Sequence, residues 1–168
     1  LEVARLENLA SLDQVETINV SDIIQKVISH KKIEAHKKNI QIIFHTNDKW
    51  WVKGNDFILQ QVMDNLIGNA LEFSPINGEI IIKASALEKN NSIQILIQDQ
   101  GPGIPEYARE RIFERFYSLP RPDTGKRSSG LGLTFAKRAI ELHDGIITLE
   151  NLSSIGSEVK IRLPRVAP

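Results

Sequence analysis

The sequence predicts an α/β domain, and three observations carry that reading. Isoleucine stands at every second position of Ile93-Gln94-Ile95-Leu96-Ile97-Gln98, the period of a strand with one buried face. Through Asp56–Phe73 the apolar residues Ile58, Val62, Leu66 and Ala70 return every fourth position, the stripe of a core-facing helix. The chain has 168 residues, 41% hydrophobic and 25% charged, which is the balance of one globular domain with material for a core.

Taken in order, Leu6, Leu9, Leu12 and Val15 recur at threes and read as the last turns of an amphipathic helix. Asp13–Asn19 reads as a polar connection. Ser21 and Asp22 offer an N-cap and a first-turn carboxylate for a helix with Val20, Ile23, Ile24, Val27 and Ile28 on its buried side, running out at His36–Asn39. Ile40–Phe44 and Trp50–Lys53 read as strands, with Gly54-Asn55 closing the turn and Asn55 capping the helix Asp56–Phe73. Ser74–Gly78 breaks that helix. Glu79–Leu87 and Ser92–Gln98 then form a β-hairpin across residues 88–91.

After the second hairpin strand come Asp99-Gln100-Gly101-Pro102-Gly103-Ile104. Pro105 and Glu106 can open a short helix carrying Ile112, Phe113 and Phe116 inward. Ser118–Ser129 holds two prolines and a glycine without hydrophobic period, and reads as a mobile loop. It ends in Gly130-Leu131-Gly132-Leu133, before a helix made apolar by Leu133, Phe135, Ala136, Ala139, Ile140 and Leu142. Asp144-Gly145 ends that helix, and Ile146–Glu150 and Ser157–Leu163 are the closing strands, the last with Val159, Ile161 and Leu163 inward.

Composition narrows the function. Lys plus Arg equals Asp plus Glu at 21 each, so no overall field draws the chain to nucleic acid or an anionic membrane, and any anion must be held locally. The chain has no cysteine, hence no disulfide framework, thiolate metal site or cysteine nucleophile. No apolar run approaches the ~20 residues that span a bilayer, and the cytoplasm is the expected location. The chain opens on Leu1 rather than methionine, and the expectation is a piece of a longer protein.

Three features point to a ligand. Gln61, Asn65 and Asn69 recur every fourth residue beside the core stripe, although asparagine is a poor helix former. Asp99 ends a strand before glycines whose bare backbone can lie against a flat polar group, though Asp-x-Gly-x-Gly also fits an ordinary turn. Gly130 and Gly132 stand at the start of a buried helix, where free N–H groups and the positive dipole end converge. A carboxylate accepts from an exocyclic amine, an amide oxygen ligates Mg²⁺, and helix-start amides cradle phosphates. ATP presents all three partners.

On these residues the chain resembles the ATP-binding catalytic domain of bacterial two-component sensor histidine kinases, within the gyrase, Hsp90, histidine kinase and MutL ATPase superfamily. The asparagine helix Gln61–Ala70, the glycine stretch Asp99–Ile104, the aromatic stretch Phe113-Glu114-Arg115-Phe116-Tyr117, the second glycine stretch Ser129–Leu133 and Gly156-Ser157 match in order. The proline-bearing loop Tyr117–Pro122 resembles CreC-type sensors. The resemblance implies a two-layer α/β sandwich of the Bergerat type, a mixed β-sheet packed on helices, with ATP between the helices and a flexible ATP lid. It implies that Asp99 accepts from the adenine amine, Asn69 ligates Mg²⁺, Asn65 lies near the phosphates and Phe73 covers the adenine. Gly101, Gly103 and Ile104 would approach the base, and Ser129, Gly130, Leu131, Gly132 and Leu133 would shape the lid's return. Lys126 or Arg127 would reach the γ-phosphate.

The resemblance further implies transfer of the γ-phosphoryl to a histidine, and from there to an aspartate of a cognate response regulator. His30, His36, His45 and His143 stand outside any sequence like the family's phosphoacceptor stretch, so the acceptor is expected upstream of Leu1. Residues 1–18 would then be the end of the dimerisation and phosphoacceptor hairpin with its linker, and residues 19–168 the catalytic domain. The expected setting is the cytoplasmic portion of a bacterial inner-membrane protein, homodimeric when whole and monomeric as this domain. One departure stands out: Glu72 occupies a position where many relatives carry lysine or arginine, leaving a lid cation to substitute. The alternatives are an ATP-hydrolysing clamp, which needs a glutamate where Asn65 stands, a serine kinase acting as an anti-sigma factor, and a module that only binds nucleotide.

Overall fold

The computed structural model describes residues 9–168. In chain order the elements are β1 (Glu16–Asn19), α1 (Val20–His30), α2 (Lys32–Lys37), β2 (Gln41–Thr46), β3 (Trp51–Gly54), α3 (Asp56–Phe73), β4 (Glu79–Leu87), β5 (Ser92–Gln98), α4 (Gly132–Leu142), β6 (Ile146–Asn151) and β7 (Ser157–Pro164). Single 3₁₀ turns lie at Glu88–Asn90 and Glu106–Ala108.

The period-2 strands make one five-stranded sheet in the order β2-β4-β5-β7-β6. β2 runs parallel to β4 and every other pair is antiparallel, so the sheet is mixed. Alternation decides which face is covered. Ile80, Ile82, Ile93, Ile95, Ile97, Ile161 and Leu163 are buried against the helical layer, while their neighbours Lys83, Gln94, Lys160 and Arg162 take the other face. α3 packs between α1 and α4 on the covered side, with Leu59, Val62, Met63, Leu66 and Ile67 almost wholly enclosed. Two layers result, with a core between them.

Most expected boundaries hold, including α3 and both hairpin strands. Several do not. The polar connection at 13–19 contains β1, which pairs antiparallel with β3 from Glu16↔Gly54 to Asn19↔Trp51. Asn19 rather than Ser21 caps α1, its Oδ1 accepting from the Ser21 N–H at 3.1 Å. Ser21 is instead buried inside the helix, its hydroxyl donating to the Asp48 carbonyl at 3.3 Å. The single helix expected over 21–36 is two, because the Lys31 N–H turns back to the Val27 and Ile28 carbonyls and closes α1.

Leu9–Val15 form turns and bends, not the end of a helix. Leu9 is nonetheless buried in the core, while Val15 is exposed. Leu6, the first residue of that expected stripe, lies outside the described residues. Phe116 points outward, against expectation. Its backbone adopts φ 63° and its N–H donates to the Gly130 carbonyl at 3.0 Å, so the chain turns there to meet the returning loop. Ile104, Ala108 and Ile112 make a small second cluster beneath it, with Phe113, Tyr117 and Leu119 packed on its side.

Candidate functional site

Asp99 emerges from the end of β5 and is nearly buried. Its Oδ1 accepts from the Gly101 N–H at 2.8 Å and the Ser157 N–H at 3.2 Å, and its Oδ2 accepts from the Ser157 hydroxyl at 2.5 Å. These bonds fix the carboxylate plane and leave Oδ2 with acceptor capacity. Gly156 makes this possible: at φ 94°, a Cβ there would fall 1.8 Å from the Asp99 carbonyl oxygen. On the other side Asn151 grips Ile104, accepting from its N–H at 2.7 Å and donating to its carbonyl at 2.9 Å. A Cβ on Gly103 would meet the Asn151 side chain at 2.8 Å. The glycine stretch is therefore clamped at both ends.

Asp99, Gly103 and Ile104 open onto a cleft of about 280 Å³. Asn65, Asn69 and Phe73 of α3 line its opposite wall, because residues four apart share a helix face. Gln61, from the same series, lies outside it. The cleft ends at the start of α4, where Asn65 Nδ2 donates to the Gly132 carbonyl at 3.4 Å. No side chain caps α4 and its first turn carries no acid, so the N–H groups and the positive dipole end there favour an anion. A Cβ on Gly132 would meet only ordinary contacts, whereas one on Gly130, at φ 75°, would strike the Phe116 backbone at 2.4 Å.

The loop over the cleft is held down at named points. Arg121 places its guanidinium carbon 4.4 Å from the centre of the Phe73 ring and pairs through Nη2 with the Glu72 carboxylate. Arg121 thereby lines the cleft with Tyr117, Ser118 and Leu119. Lys38 Nζ pairs with Asp123 at 3.5 Å and donates to the Leu71 and Glu72 carbonyls at the end of α3.

Of the expected site residues, Asn65, Asn69, Phe73, Asp99, Gly103, Ile104, Ser129, Gly130, Gly132 and Leu133 all line this one cleft. Gly101 and Leu131 stand just behind it. Gly101 supplies an N–H to Asp99 and has the Phe73 carbonyl where a Cβ would go, and Leu131 is buried in the core. Lys126 and Arg127 do not line the cleft; they face an adjoining groove with Lys37 and Lys38 on the outer side of the loop, which shares Glu72, Arg121 and Ser128 with the cleft, and Arg127 Nη1 donates to the Ser118 carbonyl. Arg121 and Asn151 were given no role from the sequence, and Ser157 was read only as part of the closing motif Gly156-Ser157, without its bonds to Asp99. Ser157 had the signal of directly following Gly156; the other two act across pairings far apart in sequence.

Comparison with known proteins gives the family of the fold. The family described as "Histidine kinase-, DNA gyrase B-, and HSP90-like ATPase" matches residues 54–167. Sensor protein kinase PmrB of Pseudomonas aeruginosa is 34% identical over 169 residues, covering 100% of this chain and 35% of that protein. Sensor protein CreC of Escherichia coli is 36% identical over 165 residues, covering 98% of this chain and 34% of that one. The chain spans about a third of the length of these curated relatives. Among solved structures, histidine kinase ThkA in complex with response regulator protein TrrA superposes with a TM-score of 0.77 at 25% identity, over 98% of this chain and 48% of that one. With its mixed sheet, its helical layer and this cleft, the chain belongs to the histidine kinase-, gyrase B- and HSP90-like ATPase family, on the sensor histidine kinase side of it.

Proposed function

We propose that this domain binds ATP with Mg²⁺ in the cleft between α3, the glycine stretch and α4, and presents its γ-phosphoryl group to a histidine. The observation that carries the reading is the convergence of the fixed Asp99 carboxylate, the Asn65 and Asn69 amides and the uncapped start of α4 on one cavity. Asp99 Oδ2 accepts the adenine amine, Phe73 covers the base and the α4 amides receive phosphate oxygens. Among the described residues no group of three His, Cys, Asp or Glu side chains could hold a metal by itself. A neutral amide such as Asn69 suits Mg²⁺ that arrives on a nucleotide and completes its shell with phosphate oxygens and water.

Phosphoryl transfer breaks the bond from the γ-phosphorus to the bridging oxygen as an imidazole nitrogen attacks in line, releasing ADP; here the protein's work is positioning and charge stabilisation. None of His30, His36, His45 and His143 lines the cleft, so the acceptor comes from another segment of the parent protein. In that reading residues 1–18 lead in from a dimerisation hairpin, and the whole protein is a homodimeric membrane-anchored sensor whose phosphoryl group passes to a response regulator, as the ThkA–TrrA pairing illustrates for a relative. The domain alone is monomeric. No helix among the described residues is long and apolar enough to cross a membrane.

Asn69→Asp tests the metal assignment. A carboxylate in place of the amide repels the phosphates without Mg²⁺, so titration calorimetry should show ATP affinity falling about tenfold or more in EDTA and much less with excess Mg²⁺. An equal loss in both conditions would place the metal elsewhere.

A further inference from the structure

Arg121 joins the loop to the cleft by two contacts of different chemistry, a stack on Phe73 and an ion pair with Glu72. The arginine side chain is 11% exposed and that of Glu72 is 52% exposed. The cation is thus enclosed at the cleft wall while its partner is half in solvent. A carboxylate so placed holds a cation weakly and is screened by salt. The arginine is nevertheless well aimed: its N–H donates to the Lys126 carbonyl and its carbonyl accepts from the Gly125 N–H, both at 2.8 Å. A tight turn therefore sets where the guanidinium goes, and the Lys38–Asp123 pair fastens that turn from outside.

A polyphosphate offers the guanidinium several oxygens and more charge than one carboxylate, in the planar geometry that arginine binds bidentately. Glu72, by contrast, puts a negative charge at the rim a polyanion must pass. Arg121 and Glu72 border both the cleft and the adjoining outer groove, whereas Lys126 and Arg127 border the outer groove alone. We propose that Arg121 is the phosphate-reading cation of this cleft and Glu72 its internal competitor, holding the guanidinium when no nucleotide is bound and yielding it to the polyphosphate when one is. The proposal rests on the nucleotide reading above. It makes Arg121 the residue that separates ATP from adenosine.

Calorimetric titration of wild type, Arg121→Gln, Arg121→Lys and Glu72→Gln with Mg-ATP and with adenosine tests it. Arg121→Gln should weaken ATP about tenfold or more, a loss that persists near roughly 0.5 M NaCl, where through-space attraction is screened. Arg121→Lys should recover part of it. Glu72→Gln should tighten ATP by about threefold, having removed the competitor. Adenosine should stay within about twofold in every variant, since it carries no phosphate. ATP affinity unchanged in Arg121→Gln would overturn the proposal, as would both Gln variants weakening ATP and adenosine alike, which marks an ion pair that serves only the loop's fold. Wild type binding neither ligand would instead overturn the nucleotide reading, and this proposal with it.

Discussion

Asp99 accepts from Gly101 and Ser157 before any ligand arrives, so its orientation is fixed in advance and no ordering cost falls on binding. This carboxylate and the two asparagines were legible because their residue types have no packing reason to stand where they do. Arg121 was not, since one arginine in a polar loop carries no sign of the ring it will stack on. His143 shows the same limit in a buried residue. It lies under Gly54, its Nε2 accepting from the Asn55 N–H at 3.1 Å and its Nδ1 2.6 Å from the Ala139 carbonyl. Burial lowers its pKa from the ordinary 6.5, outweighing the Ala139 carbonyl and the Asp144 charge, which raise it. Its neutral form therefore contributes stability in full above about pH 6.5, and that contribution is lost as pH falls from there through the lowered value. Urea unfolding at decreasing pH should show this loss in wild type and a flatter profile in His143→Gln, whose amide can still accept from Asn55. Equal slopes would refute the assignment.

Elements were legible where one period dominates, as in α3, β5 and β7, and illegible where pairing decides. β1 is four residues, Glu16–Asn19, with no alternation of its own, and is a strand because β3 lies beside it. Asn19 and Ser21 are both good caps, and the choice between them follows from β1 ending at Asn19. The loop before β7 is governed by Gly156, whose close approach to the Asp99 carbonyl admits no side chain. Gly156→Ala should cost on the order of 3 kcal/mol and weaken ATP binding, because Asp99 must move. Gly125→Ala is the control: the backbone is equally left-handed at φ 67°, but nothing lies within 4 Å of its Cβ. It should cost about 1 kcal/mol and weaken ATP binding less than Gly156→Ala does. Denaturant unfolding and calorimetry on the two variants read the difference, and similar losses at both sites would mean that backbone strain rather than contact matters.

At the scale of the whole molecule, the sheet covers its apolar face with α1, α3 and α4, and the cleft opens where α3 and α4 meet the end of β5. Strand order was beyond the sequence pattern, since placing β7 between β5 and β6 depends on pairings such as Ile95↔Ile161 and Ile147↔Ile161. The order matters because it brings Ser157 at the start of β7 beside Asp99 at the end of β5. This junction is where we propose that the adenine of ATP sits. Titration calorimetry of the 168-residue chain with Mg-ATP, in wild type and Asp99→Asn, decides this. The wild type should bind one ATP saturably, and binding should weaken about tenfold or more in an Asp99→Asn variant that unfolds at the same denaturant concentration within error. Folded wild type that binds no ATP, or an Asp99→Asn variant that binds it equally well, would rule out adenine at this junction.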